Sequence, residues 1–320
     1  MGNTTINEIP DSVNNYYDRI MLIKARALFV HKQFAQVKKI PANSGTKTIK
    51  FRRYSFLSPA TTPLTEGVTP TGSQLTVTSL TCSTYQYGDY IKITDVVKYT
   101  TSDPILNETA DILSYQARET YDELTRDILA ATTTQQFAAS ATSEATVASG
   151  MKLNLEEIQE AVLTLKTAKA RKMTNQINAE NKFGTTSVPA AYIAIAHQKT
   201  VRDLKNADGW TDVKDYAGQI GIYEGEVGYI DEVRVIETTE AYVGASAGAS
   251  SIDVYRTIIL AMNAYGTVEV DGQSLHKYIT PAGGGSDPLH QRTTYAWKGD
   301  FTAKILNDAF MVAIYHAVSA

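Results

Sequence analysis

The sequence predicts an α+β fold, and three observations carry that prediction. An extended Ser/Thr-rich hairpin stands early in the chain, a long amphipathic helix follows it, and the later strand candidates mix with short helices in no regular βαβ alternation. No internal repeat is visible. The 320 residues allow one large domain or two to three smaller ones, and 43% hydrophobic against 20% charged residues is enough to bury a core.

Residues 19–53 carry ten Lys/Arg and no Asp or Glu. Ile20, Leu22, Ile23, Leu28, Phe29, Val30, Phe34 and Val37 are interleaved with those cations. Such a segment could meet nucleic acid, a membrane surface or acidic protein. It lacks the dense basic block of a nucleic-acid-packaging tail, and its apolar interleaving favours protein. The best acidic partner in the chain is the long helix described below.

Residues 54–91 contain no Lys or Arg. Pro59, Pro63, Gly67, Pro70 and Gly72 mark turns, while Leu75-Thr76-Val77-Thr78 and Tyr85-Gln86-Tyr87 alternate with period two. This predicts a long, mostly extended hairpin. Its tip, Pro63 to Pro70, has little to bury locally, so a neighbour is expected to cover it.

Asp103 suits an N-cap and Pro104 the first helical position. Leu106, Ala110, Leu113, Ala117, Tyr121, Leu124 and Ile128 then recur at spacings of three and four. They predict a helix to about Ala131, roughly 40 Å long. Its polar face carries Asp103, Glu108, Asp111, Glu119, Asp122, Glu123 and Asp127 against Arg118 and Arg126. Asp111, Glu119 and Asp122 do not share one narrow face, so a solvated or salt-bridged surface is expected there, not a divalent-metal site.

The Ala/Thr/Ser-rich stretch Thr132 to Gly150 reads as a loop. A second helix starts at Asn154, with Glu157 in capping-box position, an apolar stripe of Ile158, Val162, Leu165 and Ala168, and Lys166, Lys169, Arg171 and Lys172 toward its end. Pro189 to Ala196 suits a buried strand and Gln198 to Lys205 a short helix. Further strands are expected at Glu226–Glu237, Ile252–Met262, Thr293–Leu306 and Ala309–Val318, with a mobile Gly/Ala/Ser loop at Gly244–Ser251 and another loop at Gly283–Gly285.

Bulk properties narrow the function. The formal net charge of -4 and pI of about 5.8 do not suit a protein that condenses nucleic acid by itself. A single cysteine, Cys82, builds neither an internal disulfide nor a metal knuckle. The polar start and the shortness of the longest apolar run, Ala309 to Tyr315, predict a soluble, unprocessed chain with no membrane segment. Tyrosine outnumbers phenylalanine 19 to 8, which suits half-buried surfaces and interfaces.

Catalytic motifs are weak. Gly244-Ala245-Ser246-Ala247-Gly248 has the spacing of a nucleophile elbow, but the elbow needs a strand before it and a helix after it, and this one sits in a small-residue loop. His31, His197, His276, His290 and His316 are scattered, with no i, i+4 pair. Neither a phosphate loop nor a dinucleotide fingerprint is present, so no cofactor is expected. The sequons at Asn3 and Asn107 read as chance matches.

One resemblance draws these pieces together. The run Leu64-Thr65-Glu66-Gly67-Val68-Thr69-Pro70, then Gln86-Tyr87-Gly88-Asp89-Tyr90-Ile91-Lys92-Ile93-Thr94-Asp95, then the helix entered by Asp103-Pro104 resembles the major capsid proteins of N-four-type tailed bacteriophages. Glu224-Gly225-Glu226-Val227-Gly228-Tyr229, Val233-Arg234, Asp287-Pro288-Leu289, Trp297-Lys298 and Ile305-Leu306-Asn307 extend the likeness in the same order over most of the chain. It implies the Hong Kong 97 capsid fold: an N-terminal arm (1–53), an extended E-loop (54–91), a peripheral domain with a spine helix (92–152), a mostly axial domain (153–265) and strands returning to the peripheral domain (266–320).

The implied function is a homo-oligomeric shell of hexamers and pentamers, assembled in the host cytoplasm and enclosing double-stranded DNA. Its implied partners are a portal protein and separate scaffolding or decoration proteins. Leu64, Glu66, Val68, Tyr85 and Tyr87 are the expected inter-subunit contacts. Lys38, Lys39, Arg52 and Arg53 are expected to pair with Glu119, Asp122 and Glu123, within or between subunits. The fold's namesake cross-links neighbours through an E-loop lysine; residues 54–91 have none, so no such link is expected. The rival readings are an encapsulin-like non-viral shell and a hydrolase using Ser246.

Overall fold

A computed structural model describes residues 29–100, 105–174, 189–215, 223–271, 275–283 and 287–319. Residues 1–28 of the arm, the Asn3 sequon, and Asp103 and Pro104 at the start of the long helix lie outside them. The chain runs β1 (Gln36–Ile40), β2 (Thr48–Tyr54), β3 (Val77–Ser83), β4 (Tyr85–Thr94), α1 (Asp95–Thr100) and α2 (Ile105–Ala130). Next come β5 (Gln135–Phe137), α3 (Leu155–Thr167), β6 (Tyr192–His197), α4 (Gln198–Leu204), β7 (Trp210–Asp212), β8 (Glu226–Ile230) and β9 (Val233–Thr238). The last strands are β10 (Val243–Gly244), β11 (Val254–Leu260), β12 (Tyr265–Val270), β13 (His276–Thr280), β14 (Arg292–Ile305) and β15 (Met311–His316). No helix among the described residues is long and apolar enough to cross a membrane.

The larger sheet has eight strands, in the order β5-β15-β11-β6-β9-β8-β7 with β10 added against β11. Its central strands read as apolar runs because both faces are covered. Tyr192, Ala194 and Ala196 face a cluster with Ile158, Val162 and Leu165 of α3 and Val201 and Leu204 of α4. Ile193 and Ile195 face the other way, joining Ile258, Leu260, Leu129, Val30 and Phe34. Each fully buried Ile or Leu here contributes about 1.5–3 kcal/mol. Asn154 caps α3 as its spacing predicts: its backbone N–H donates to Glu157 Oε2 at 2.9 Å.

The second sheet has five strands: β1, β12, β14 and β13 in order, and β4 on the opposite edge of β14. α2 lies on β14, where Tyr121 stacks on Phe301 with ring centroids 4.4 Å apart and Leu113 and Ala117 pack on Trp297. Gln116 ties three elements together, accepting from Trp297 Nε1 at 3.1 Å and donating to Asp89 of β4 at 2.7 Å. Gly88 sits where a Cβ would come within 2.6 Å of the Trp297 carbonyl, so β4 can pair this closely only with glycine there.

Several expectations need correction. The hairpin strands are β2 and β3, so the excursion begins at Thr48, carries Lys50, Arg52 and Arg53, and ends by Ser83. Tyr85 to Ile91 belongs to β4 and pairs with β14 along its length, which takes Tyr85 and Tyr87 out of the hairpin. β15 does not return to the five-stranded sheet with β12, β13 and β14; it lies inside the larger one, between β11 and β5. Its unbroken apolar sequence suits that doubly covered position. Gly244–Ser251 is an ordered turn, held by Ala249 N–H to Val147 O at 2.9 Å and Gly248 N–H to Ile252 O at 3.0 Å, because its small residues let the backbone approach Val147 and Val254. β12 and β13 carried no strand expectation.

Candidate assembly surface

β2 and β3 pair antiparallel from Thr48 with Ser83 to Tyr54 with Val77, and Ser55 N–H extends the ladder to Thr76 O at 3.0 Å. Only the base is anchored. Phe51 and Cys82 pack with Ile40 and Val268 of the five-stranded sheet. Beyond it, residues 52–79 are exposed throughout. The tip reverses at Thr65–Val68, closed by Val68 N–H to Thr65 O at 3.1 Å, with Gly67 at φ 76° supplying the left-handed position the turn requires.

Of the predicted contacts, Leu64 and Val68 stand on this tip, 77% and 62% exposed, beside exposed Glu66. Tyr85 is 63% exposed on β4, and Tyr87 packs against the cluster under α2. The sequence reading missed Phe56, which at 94% exposure is the barest large apolar side chain described. Its signal was present: an aromatic in a turn-rich stretch that follows the end of β2. Also missed was β13, where Tyr278 and Ile279, with Leu275 just before the strand, line an exposed apolar cleft with Leu113, Ala117 and Trp297.

The predicted charge pairs do not form inside one chain among the described residues. Lys38 lies over the Phe51 ring at 4.9 Å, and Lys39 is 3.9 Å from Asp271. Arg52 and Arg53 are exposed on β2. Glu123 pairs with Arg126 at 3.3 Å. Partial burial, then the like charges of Glu123 and Glu240, push Glu119 above the usual carboxylate range.

Asp122 is the largest departure. It was expected on a solvated or salt-bridged face, paired with Lys38, Lys39, Arg52 or Arg53, and is 2% exposed, because the arm crosses that flank of α2. Its Oδ1 accepts the His31 backbone N–H at 2.8 Å and its Oδ2 meets His31 Nδ1 at 2.6 Å. Tyr265 donates its hydroxyl to the His31 carbonyl. Lys32 beside it pairs with Glu269 and lies over the Tyr121 and Phe301 rings. The arm does bind the spine helix, then, but through His31 and not through Lys38 or Lys39.

The other singled-out groups hold structure. His197 caps α4 by accepting the Lys199 N–H at 3.1 Å. His316 is wholly buried, accepting from Thr257 Oγ1 at 2.9 Å and donating from Nδ1 to the Ala317 carbonyl at 3.0 Å; burial lowers its pKa to about 4. Ser246 has φ 53°, but it follows the two-residue β10 and precedes a three-residue 3-10 turn, so the strand-elbow-helix context is missing.

No family model matches the chain, and no curated protein matches it in sequence. Solved structures do. The capsid of Ralstonia phage GP4 matches with a TM-score of 0.73 at 14% identity, covering 97% of this chain and 96% of that one. The capsid of cyanophage P-SCSP1u matches at 0.67 and 14%, covering 97% and 94%. The SrpI encapsulin complex of Synechococcus elongatus matches at 0.58 and 6%, covering 99% and 97%. These alignments run end to end, through the hairpin, the helix and both sheets. The chain has the mixed α+β fold of these phage capsid proteins.

Proposed function

We propose that this chain is the major capsid protein of a tailed bacteriophage, assembling as hexamers and pentamers into an icosahedral head shell around double-stranded DNA. The observation that carries the reading is the hairpin: 28 consecutive residues, 52–79, that the chain exposes without burying. A lone protein rarely leaves Phe56, Leu57, Leu64, Val68 and Leu75 in water together. Spread over a neighbouring copy, each becomes interface, and closed symmetry repeats the gain at every subunit. The end-to-end likeness to phage capsids supports the same conclusion.

In this reading Arg52 and Arg53 meet Glu119 and Glu123 of a neighbour, since the charges are segregated in sequence and do not meet within one chain. The weak net charge fits DNA driven in through a portal protein better than DNA drawn in by a basic lining. Scaffolding and decoration proteins would be separate chains. Lys50 is the hairpin's lysine, near its base, and the tip has none, so subunits interlock without an isopeptide bond. Shells boiled in denaturant should run as a monomer band; a covalent ladder contradicts this.

Negative-stain electron microscopy of the expressed protein tests the main proposal. Shells or capsomers support it, and a monodisperse monomer at high concentration opposes it. The encapsulin likeness favours a second reading, a non-viral shell around protein cargo. Mass spectrometry of particles from the native source separates the two: packaged enzyme in place of DNA would select the second.

A further inference from the structure

A cleft open to solvent, about 360 Å³ in volume, lies between α2 and β13 on the helix-covered face of the five-stranded sheet. Trp297 of β14 forms its floor. One wall is the face of α2 that carries Ala110, Ser114 and Ala117, all small and spaced by four and three, so the wall stands back from the strand. The opposite wall is Leu275, Lys277 and Ile279, which share a side because strand side chains alternate. β14 is the one partner of β13 among the described residues, so no described strand closes the outer side of the cleft.

The cleft surface is almost wholly apolar. Two polar groups in its walls are already satisfied: the Ser114 hydroxyl donates to the Ala110 carbonyl at 2.6 Å, and Trp297 Nε1 donates to Gln116 at 3.1 Å. Lys277, which is exposed, is the one charged residue among those that line it. Asp89, on the same register line, stands on the far side of Trp297 and takes the Gln116 amide at 2.7 Å. A polypeptide backbone entering here would bury N–H and C=O groups against walls that offer them no partner. An alkyl chain brings no such groups, and a cleft of this size and lining is of the kind that takes small ligands.

We propose that this cleft binds a medium-chain anionic amphiphile, such as an unbranched fatty acid, one per chain. The tail lies along Leu275, Ile279 and Trp297 against the small residues of α2, and the carboxylate stays at the mouth on the Lys277 ammonium. Each methylene taken from water strengthens binding about two- to fourfold, the upper value applying where it is wholly covered. The charged head contributes less, about 1.5- to 5-fold over an uncharged one, because Lys277 is exposed. The inference concerns the single chain and stands whether or not the chain builds shells.

Isothermal titration calorimetry of the full chain with hexanoate, octanoate and decanoate, each below its micelle concentration, tests this. Saturable one-to-one binding is expected, tightening along the series, with octanol weaker than octanoate and octyltrimethylammonium weaker still. Ser114→Leu fills the cleft from the α2 wall and should weaken octanoate about tenfold or more, with urea unfolding as the check on the fold. Lys277→Glu changes an exposed side chain, keeps the cleft and should reverse the preference, so that octyltrimethylammonium binds better than octanoate. The absence of saturable binding, an affinity indifferent to both substitutions, or an unreversed preference overturns the proposal. So does a cleft already filled by a second copy, seen as no octanoate binding together with a Lys277→Glu chain whose ligand-free sedimentation shifts.

Discussion

β11 and β3 are both seven-residue strands, and they meet water in opposite ways. β11, Val-Tyr-Arg-Thr-Ile-Ile-Leu, is hydrogen-bonded to β15 and β6 on its two edges and buried at six of seven positions. β3, Val-Thr-Ser-Leu-Thr-Cys-Ser, pairs with β2 alone and buries one residue, Cys82. Backbone conformation is common to both, so it does not explain the difference. β11 has β-branched or aliphatic side chains on both faces and an element to cover each. β3 alternates apolar with Ser and Thr and has cover only at its base. The chain covers the first sheet by itself and leaves the hairpin sheet exposed beyond its base.

That contrast orders the expected effects of substitution. Ile258→Ala, in the middle of β11, should cost about 2–5 kcal/mol and be read directly in urea or thermal unfolding. Next comes acid. His316 has a folded pKa of about 4, below its unfolded value of about 6.5, so the unfolded state takes up a proton first. Stability should fall as pH drops from about 6.5 to about 4, by at most about 3 kcal/mol, and this loss should then level off. His316→Gln should flatten that window; a slope that persists would place the titration elsewhere. Burial raises the Asp308 carboxyl, but the Thr132 and Thr133 hydroxyls and the Thr133 backbone N–H together hold it below its ordinary value, so its contribution is lost only at lower pH. Asp122→Ala leaves the His31 N–H groups buried without their acceptor and should cost about 2–3 kcal/mol, measured by unfolding.

The smallest change in stability belongs to the hairpin. Phe56→Ser on the exposed arm of the hairpin, just past β2, should leave unfolding within about 0.5 kcal/mol, yet sharply reduce particle yield in sedimentation. Reversing Arg52 and Arg53 to Glu should do the same in low-salt buffer, with partial recovery when Glu119 and Glu123 are reversed in trans. Normal particle yield from both variants would mean the hairpin is not the interlocking element.

Legibility in the sequence follows the same division. α2, α3, β6, β14 and β15 were readable because each obeys a periodicity that its own neighbours impose. β12 was not: Tyr-Gly-Thr-Val-Glu-Val follows β11 by a short turn, and its partner β1 lies far upstream. Asp122 meets the arm as expected, but its burial and its His31 partner were not legible, because helical periodicity reports which face meets the sheet, not which flank another segment crosses. The hairpin boundaries shifted because the alternation of Tyr85 and Tyr87 continues β3 in pattern, while their hydrogen bonds go to β14. For the assembly surface, the exposed tip was legible from its turn residues, whereas charge partners need a second chain to appear.

The pairing of β1 with β12 has one more consequence, in time. Gln36 lies opposite Gly266, and this ladder is parallel, so it cannot form as a local turn. A ribosome releases the arm and both hairpin strands long before it makes β12 or β14. Until then the hairpin has no rooted base, since the Val268 against which Phe51 and Cys82 pack does not yet exist. The hairpin is thus among the first elements to be synthesised and among the last to be rooted, and under the proposed function nascent and half-folded chains would have no aimed grip on finished ones.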